Sequence, residues 1–256
     1  LLFLCAGVAV RAAAHMPAAA AARAVIVPRR STRLRDAAFS RERRRQPGRP
    51  IRLLGMTIHP LDLQAATDQV LAWCAASRRG RCKYVVTPNV DHAVIYQSHE
   101  GLRAAYADAS LVLADGAPVV WAARLLRKAL PERVAGSDLT PAILRRASLG
   151  RRPGQMPRRP LRLFLLGAGP GVGERARKNI EQCWPGVNVT GVYSPPLGFE
   201  KSPEENRRIL AAVATAKPDL LIVGLGAPKQ ELWVRQYAEQ IDAKVALCVG
   251  ATIDFL

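Results

Sequence analysis

Six short clusters in the chain hold residue types suited to gripping anions and moving protons: Thr87-Pro88-Asn89, Asp115-Gly116, Gly167–Gly173, Tyr193-Ser194-Pro195-Pro196, Gly224–Glu231 and Gly250-Ala251-Thr252. Asp115 follows the apolar run Leu111–Ala114 and precedes Gly116, a placement that suits a general base and equally a helix cap. Thr87 and Asn89 can orient a substrate hydroxyl, and Asn89 can also cap a helix. In Gly167-Ala168-Gly169-Pro170-Gly171, the glycines let backbone approach a ligand, and a following helix offers free N–H groups to an anion. A tight turn with no ligand reads the same way. Gly224 and Gly226 lead into Pro228-Lys229-Gln230-Glu231, which is expected to form a polar rim at a helix N-terminus. There Lys229 can meet phosphate oxygens and Gln230 a base or sugar hydroxyl, while Glu231 reads equally as a first-turn acid that serves only the helix dipole. Arg133, beside apolar Val134 and Ala135, can hold a diphosphate. Asp138 reads as a cap and His92 as a packed helix residue. With no D-x-D triplet and no His cluster in the sequence, a dedicated divalent metal site is not expected.

Each cluster stands immediately after a strand-like segment. The strand candidates are Ile51–Met56, Lys83–Val86, Leu111–Leu113, Leu161–Leu166, Val187–Val192, Leu220–Val223 and Val245–Val249. Helical spacing marks Leu61–Ser77, Val90–Ala109, Pro118–Leu130, Ser137–Leu149, the stretch from Gly173 to Cys183, a helix opened by Ser202-Pro203-Glu204-Glu205 and Pro228–Ile241. Ser202 is expected as N-cap, with Glu205 closing a capping box. Strands such as Leu220-Leu221-Ile222-Val223 are apolar without alternation, so both faces must be covered. The expected fold class is α/β, a Rossmann-like parallel sheet flanked by helices. In such a sheet all strand C-termini share one edge, and the six clusters converge on a crevice there.

Composition sets the frame. The chain has 256 residues, 49% hydrophobic and 23% charged, enough to bury a core and unlike a disordered or collagen-like chain. The net charge of +18 points to anionic partners, namely nucleic acid, an anionic membrane surface or phosphorylated substrates. Residues 1–50 carry eleven Arg against Asp36 and Glu42. Residues 1–49 therefore read as a basic, disordered leader or arm, apart from a domain over 50–256. The five Cys are scattered without a CxxC pair, so a reducing cytosol is the simpler home. No run of 18 apolar residues free of charge occurs, so a transmembrane helix is not expected. Two other function classes fit parts of the pattern. A dinucleotide-dependent enzyme would use the Gly-rich loop, but no acid follows about 20 residues later for the ribose hydroxyls. A basic nucleic-acid-binding protein would use the arm, but no aromatic-interleaved basic motif appears, so no specific nucleic acid is expected.

Five motifs in order, Thr87-Pro88-Asn89-x-x-His92, Ala114-Asp115-Gly116, Glu132-Arg133-Val134-Ala135-Gly136-Ser137-Asp138, Gly224-x-Gly226-x-Pro228-Lys229-Gln230-Glu231 and Gly250-Ala251-x-x-Asp254-Phe255, resemble those of the WecG/TagA/CpsF family, glycosyltransferase family 26. The resemblance spans about residues 50–256. It implies an inverting transfer of a hexose or N-acetylhexosamine, of N-acetylmannosamine type, from a UDP-sugar donor to a polyprenyl-diphosphate-linked sugar in cell-surface polysaccharide or teichoic acid synthesis. It implies Asp115 as the base, Thr87 in support of the acceptor pocket, Arg133 and Gln230 lining the site, and no cofactor or metal. The implied location is cytoplasmic and peripheral on the inner face of the membrane, with a homo-oligomer possible. Pro118 stands where members often have Gly. Members usually continue past the Asp-Phe motif into a basic, aromatic C-terminal appendage, expected to be missing from this sequence.

Overall fold

A computed structural model describes residues 48–77, 80–128, 130–149 and 159–256. The expected arm up to residue 47, and the Pro/Arg loop over 150–158, lie outside these residues. The chain opens with strands β1 (Ile51–Leu53) and β2 (Met56–Ile58), helix α1 (Leu63–Ala75), strand β3 (Lys83–Val86) and helices α2 (Val90–Ser98) and α3 (Glu100–Ala107). Strand β4 (Leu111–Val112) and helices α4 (Ala117–Leu125) and α5 (Gly136–Leu149) follow. The second half alternates strictly: β5 (Leu161–Gly167), α6 (Val172–Cys183), β6 (Val187–Tyr193), α7 (Pro203–Ala216), β7 (Leu220–Gly224), α8 (Lys229–Tyr237), β8 (Val245–Cys248), then a short 3-10 segment over Gly250–Phe255.

Strands β3 to β8 form one six-stranded sheet in the order β4-β3-β8-β7-β5-β6, and every pairing in it is parallel. Right-handed crossovers account for the face that most of the helices cover, while α4, in the long β4-to-β5 connection, packs Val119 and Ala123 on the side of α3, α7 and α8. Connections that step toward β4 place α2, α3, α7 and α8 on one face. Connections that step toward β6 place α5 and α6 on the other. Two separate cores follow this division. Tyr84, Val86, Leu221, Val223 and Ala246 pack with Leu102, Ile209, Val213 and Val234. Val85, Leu220, Ile222, Val245 and Leu247 pack with Val70, Ile143, Leu144 and Ile180. Neighbouring residues of one strand thus enter opposite cores, which is why these strands are apolar throughout.

Several element boundaries differ from the sequence expectation, each for a local reason. The single strand expected over Ile51–Met56 is a hairpin. Leu54 and Gly55 take φ +51° and +82°, the two left-handed residues of a tight turn that pairs Leu53 with Met56. The hairpin leads to His59, whose N–H donates to the Val112 carbonyl at 2.8 Å and whose Nδ1 accepts from the Val112 N–H at 3.1 Å. The open edge of β4 is thereby covered. The helix expected over Val90–Ala109 is broken at His99, which ends α2 and whose ring accepts from the Leu102 N–H at the start of α3. Helices α4 and α8 stop earlier than expected, at Leu125 and Tyr237. Ser202 does cap α7, but Glu205 does not close the box: its carboxylate accepts from the Tyr193 hydroxyl at 2.7 Å.

At the C-terminal edge the strands meet closely. A Cβ on Gly167 would lie 2.3 Å from the Gly224 carbonyl oxygen, and one on Gly224 would lie 2.8 Å from the Gly250 carbonyl oxygen. Gly167 also holds φ +111°, where side chains are strained. Gly167→Ala is expected to destabilise the fold by about 2–4 kcal/mol, combining backbone strain with a carbonyl clash. Thermal denaturation checks this; a Tm equal to that of the unmodified chain would contradict the close approach.

Candidate active site

The edge formed by the C-terminal ends of β3, β4, β5, β7 and β8 carries the expected site residues, and the backbone explains how each is held. Asp115 lies in the turn after β4. Its N–H donates to the Pro88 carbonyl at 2.9 Å, and the Ala114 carbonyl before it accepts from the Val134 N–H at 2.8 Å. Two loops remote in sequence therefore clamp it. The N-cap of α4 is Gly116, with no side-chain cap bond, so Asp115 is not spent on capping. Gly116 holds φ +86° and lies against Asn89, a Cβ there falling 3.9 Å from the Asn89 Cβ. Pro118 sits in the first turn of α4, where its missing N–H removes no helix bond.

Arg133 is fixed from both sides. Glu132 accepts a hydrogen bond from the Leu63 N–H at the start of α1, and Val134 is tied to Ala114 as above. The Arg133 guanidinium spans two carboxylates, at 2.5 Å from Asp138 Oδ2 and 3.7 Å from Asp115 Oδ1. Asp138, expected as a cap, lies in the first turn of α5 as the partner of Arg133. Burial raises the Asp115 carboxyl above its ordinary range. Arg133, the Gly116 N–H and His92 pull it down, and Asp138 pushes it up.

Thr87, buried after β3, donates from Oγ1 to the Cys248 carbonyl at 3.4 Å and so joins the ends of β3 and β8. Asn89 is the N-cap of α2. Its Oδ1 accepts from the His92 N–H at 3.1 Å and faces His92 Nδ1 at 2.6 Å. The spacing Asn89-x-x-His92 is that of a capping box, a signal in the sequence that a reading of His92 as a packed residue passes over. His92 Nε2 then faces Glu231 Oε1 at 3.4 Å, so one imidazole links the turn after β3 to helix α8.

The expected polar rim over Lys229-Gln230-Glu231 is reduced to Lys229. That ammonium stands at the surface, 4.0 Å from Glu200 Oε2. Gln230 and Glu231 are buried beneath it, because the first turn of α8 directs them onto β8. Gln230 accepts from the Gly250 N–H at 3.1 Å and donates to Glu231 at 2.8 Å. Glu231 is 0% exposed, and its Oε2 has no hydrogen-bond partner. The Tyr106 hydroxyl, also buried and unpartnered, is shifted upward by burial and by Glu231. Cys248, at the end of β8, is likewise pushed well above the ordinary thiol range, by burial first and Glu231 next.

The Gly-rich turn has two parts. Gly167 serves the contact with Gly224 described above, and Ala168 N–H donates to the Gly224 carbonyl at 3.2 Å. Gly169 has only Val172 near its Cβ direction, and Gly171, left-handed, leads into α6 with no side-chain cap. Gly226, at φ +80°, has open space around it. These glycines and the N-terminus of α6 line the edge beside β7, where an anion can approach backbone N–H groups. Asp115, Arg133, Thr87 and Asn89 lie toward β3 and β4, Gly167, Gly169, Gly224 and Gly226 toward β5 and β7, and His92 with Glu231 bridges from α2 to α8. Among the described residues no helix is long and apolar enough to cross a membrane.

A parallel α/β sheet with a clamped carboxylate, an arginine and two glycine turns at its C-terminal edge has the layout of α/β proteins that bind ligands outside the carboxyl ends of their strands. The sequence profile of the Glycosyl transferase WecG/TagA/CpsF family matches residues 51–256, and the chain belongs to this family. Similar proteins include the N-acetylglucosaminyldiphosphoundecaprenol N-acetyl-beta-D-mannosaminyltransferases of Staphylococcus aureus (strain MRSA252) and Bacillus spizizenii (strain ATCC 23059 / NRRL B-14472 / W23). Each is 28% identical over 171 residues, which cover 67% of this chain and 61% of the relative. The aligned region thus spans about three fifths of the length of these curated relatives.

Because burial raises the Asp115 carboxyl, its charged form costs the folded state stability. That cost is absent below the unfolded-state range and appears as pH rises through the folded value. Asp115→Asn is therefore expected to leave Tm at neutral pH unchanged or higher. Arg133→Gln removes the strongest downward influence and should move the carboxyl titration further up, read by carbon NMR of the Asp115 side chain. A titration that moves down in Arg133→Gln would overturn this electrostatic account.

Proposed function

We propose that the chain is an inverting glycosyltransferase. It moves a hexose or N-acetylhexosamine, of N-acetylmannosamine type, from a UDP-sugar to a polyprenyl-diphosphate-linked sugar. The membership of the family and the activity for which the relatives are named support the reaction class. The observation that carries the assignment of roles is Asp115: a carboxylate raised by burial, committed to no cap, clamped by two loops and 3.7 Å from Arg133.

In this reading Asp115 takes the proton from the acceptor hydroxyl as that oxygen attacks the anomeric carbon. The bond from that carbon to the diphosphate oxygen breaks on the opposite side, and UDP departs with the electron pair. A base with a raised carboxyl accepts this proton more readily near neutral pH. Negative charge grows on the diphosphate, where Arg133, Lys229 and backbone N–H groups at the start of α6 stabilise it. Thr87 and Asn89 stand on the acceptor side and order the loop beside Asp115. Gln230 and Glu231 act from below by holding the ends of α8 and β8. Cationic side chains take the part a metal plays in other sugar-nucleotide enzymes, a choice supported by the missing D-x-D triplet. The reading includes a peripheral position on the inner face of the membrane, where a lipid-linked acceptor would be within reach.

Calorimetry with UDP and with NADH separates this reading from a dinucleotide-dependent enzyme: UDP is expected to bind, NADH is not. UDP release from a panel of UDP-sugars, with a short-chain polyprenyl-diphosphate-N-acetylglucosamine acceptor, then identifies the donor. Asp115→Asn is expected to lower turnover by about 10²–10⁴-fold while UDP affinity is retained. Near-normal turnover of that variant would remove Asp115 from the role of base.

A further inference from the structure

Helix α4 begins at Gly116, directly after Asp115, and it is apolar on both sides. Val119, Val120 and Ala123 enter the core, while the opposite stripe presents Trp121 at 63% and Leu125 at 85% exposure, followed by exposed Leu126. A surface helix of a water-soluble domain normally turns a polar stripe outward. Helix α2 starts beside it, since Asn89 and Gly116 are neighbours, and it too exposes apolar residues, Val90 and Val94, one turn apart. The β1–β2 hairpin bridges the far ends of the two helices: Gln97 of α2 donates to the Leu54 carbonyl, and Lys128 beyond α4 donates to the Arg52 carbonyl. Exposed Leu54 at the hairpin turn extends the same apolar set. Exposed cations Arg52, Arg124 and Arg127 stand on the hairpin, on α4 and just beyond it, and among the described residues the acids of these segments are Asp91 of α2 and Asp115 before α4.

We propose that this face of α4, α2 and the hairpin turn docks on an anionic lipid bilayer and sets the Asp115 edge at the membrane surface. An exposed Trp and several aliphatic side chains ringed by arginines are the make-up of an interfacial helix: the apolar residues enter the headgroup boundary and the guanidinium groups meet anionic lipid. Position gives the surface its use. The helix that inserts is the one that begins at the proposed base, so a lipid-linked acceptor reaches Asp115 without leaving the bilayer. That use rests on the proposed function; the docking itself is read independently of it.

The test uses the full chain and vesicles of phosphatidylglycerol and phosphatidylcholine carrying bromine on their acyl chains. Because residues 1–50 are strongly basic and draw the chain to anionic lipid by charge alone, the readout is quenching of tryptophan emission rather than sedimentation. The unmodified chain is expected to be quenched, and Trp121→Phe to lose most of that quenching, since the other three tryptophans lie elsewhere. Leu125→Asp is expected to raise the lipid concentration needed for half-maximal quenching of Trp121 by roughly ten-fold or more, the loss of one inserted leucine. Leu149→Asp, at the opposite edge of the sheet, is expected to leave it unchanged. Thermal unfolding confirms that each variant is folded. Equal quenching in the unmodified chain and Trp121→Phe overturns the proposal, and so does unchanged quenching of Trp121 in Leu125→Asp. A dimer that Leu125→Asp dissociates, with no quenching by lipid, overturns it in favour of a second copy of the chain. Transfer to a water-soluble acceptor, expected to survive in Leu125→Asp, reads the proposed function separately. Its absence from the unmodified chain would count against that function and leave the quenching result standing.

Discussion

The ends of β5, β7 and β8 approach one another more closely than any side chain allows, and the rest of the site depends on that contact. Gly167 faces the Gly224 carbonyl, Gly224 faces the Gly250 carbonyl, and Gly136 faces Val249, where a Cβ would lie 2.7 Å from the valine Cβ. The last contact brings the start of α5 to the end of β8, and with it Asp138 and the guanidinium it holds. Glycine at these points does more than permit a turn. It removes the bulk that would hold four segments apart, so loops separated by over a hundred residues share one edge. The glycine motifs after β5 and β7 therefore have a packing role that is independent of any ligand, while Gly169 and Gly226, with no such neighbour, are left free for one.

On this frame the charged groups are arranged at two depths. Asp115 and Arg133 lie at the surface of the edge, partly in solvent, where a proton and a diphosphate can reach them. Glu231 lies beneath with no exposure, held by Gln230 and facing His92, one oxygen unpartnered. A buried carboxylate is expensive unless paired. Its effect on its neighbours is visible in the upward shifts of Tyr106 and Cys248, both of which stay protonated at neutral pH. The lower layer thus gathers Gln230, His92, the Tyr106 hydroxyl and the Cys248 thiol around one acid, and its hydrogen bonds run to Gly250 and to the cap of α2. It stiffens the loops that carry the upper layer, as a supporting shell does around a reactive pair.

Much of this is legible from residue order. Strands apolar on both faces require a parallel sheet with two covers, and a parallel sheet requires its loops to converge, so the site follows from Leu220–Val223 as much as from any motif. Side-chain depth is not legible in the same way. Lys229, Gln230 and Glu231 are consecutive polar residues after a glycine turn, and only the direction of the first turn of α8 separates the one at the surface from the two below. The hairpin at Leu54-Gly55 escapes because a Leu accepts a left-handed conformation there, a choice propensity argues against. The break at His99 escapes because the helical spacing continues through it, and a ring acting as cap to α3 carries no mark in composition. Asp115 illustrates the converse. Its two readings, cap and base, are indistinguishable in sequence, and the geometry at Gly116 removes the cap.

Helix α4 shows why a pattern that looks wrong by the rules of a soluble domain can be consistent with function. A helix with apolar residues on two opposite sides has one of them in the core and needs a cover for the other. Here one side is in the core, and that side is fixed by the close tie of Gly116 to Asn89 and of Asp115 to Pro88. Any force that engages the outer side acts on a helix rigidly joined to the carboxylate. A polar outer stripe would have made the domain more soluble and cost the fold nothing, since Trp121 and Leu125 bury little in it. Their exposure beside the edge that carries Asp115, with arginines near them, is the compositional conflict expected where a surface serves a partner rather than the fold.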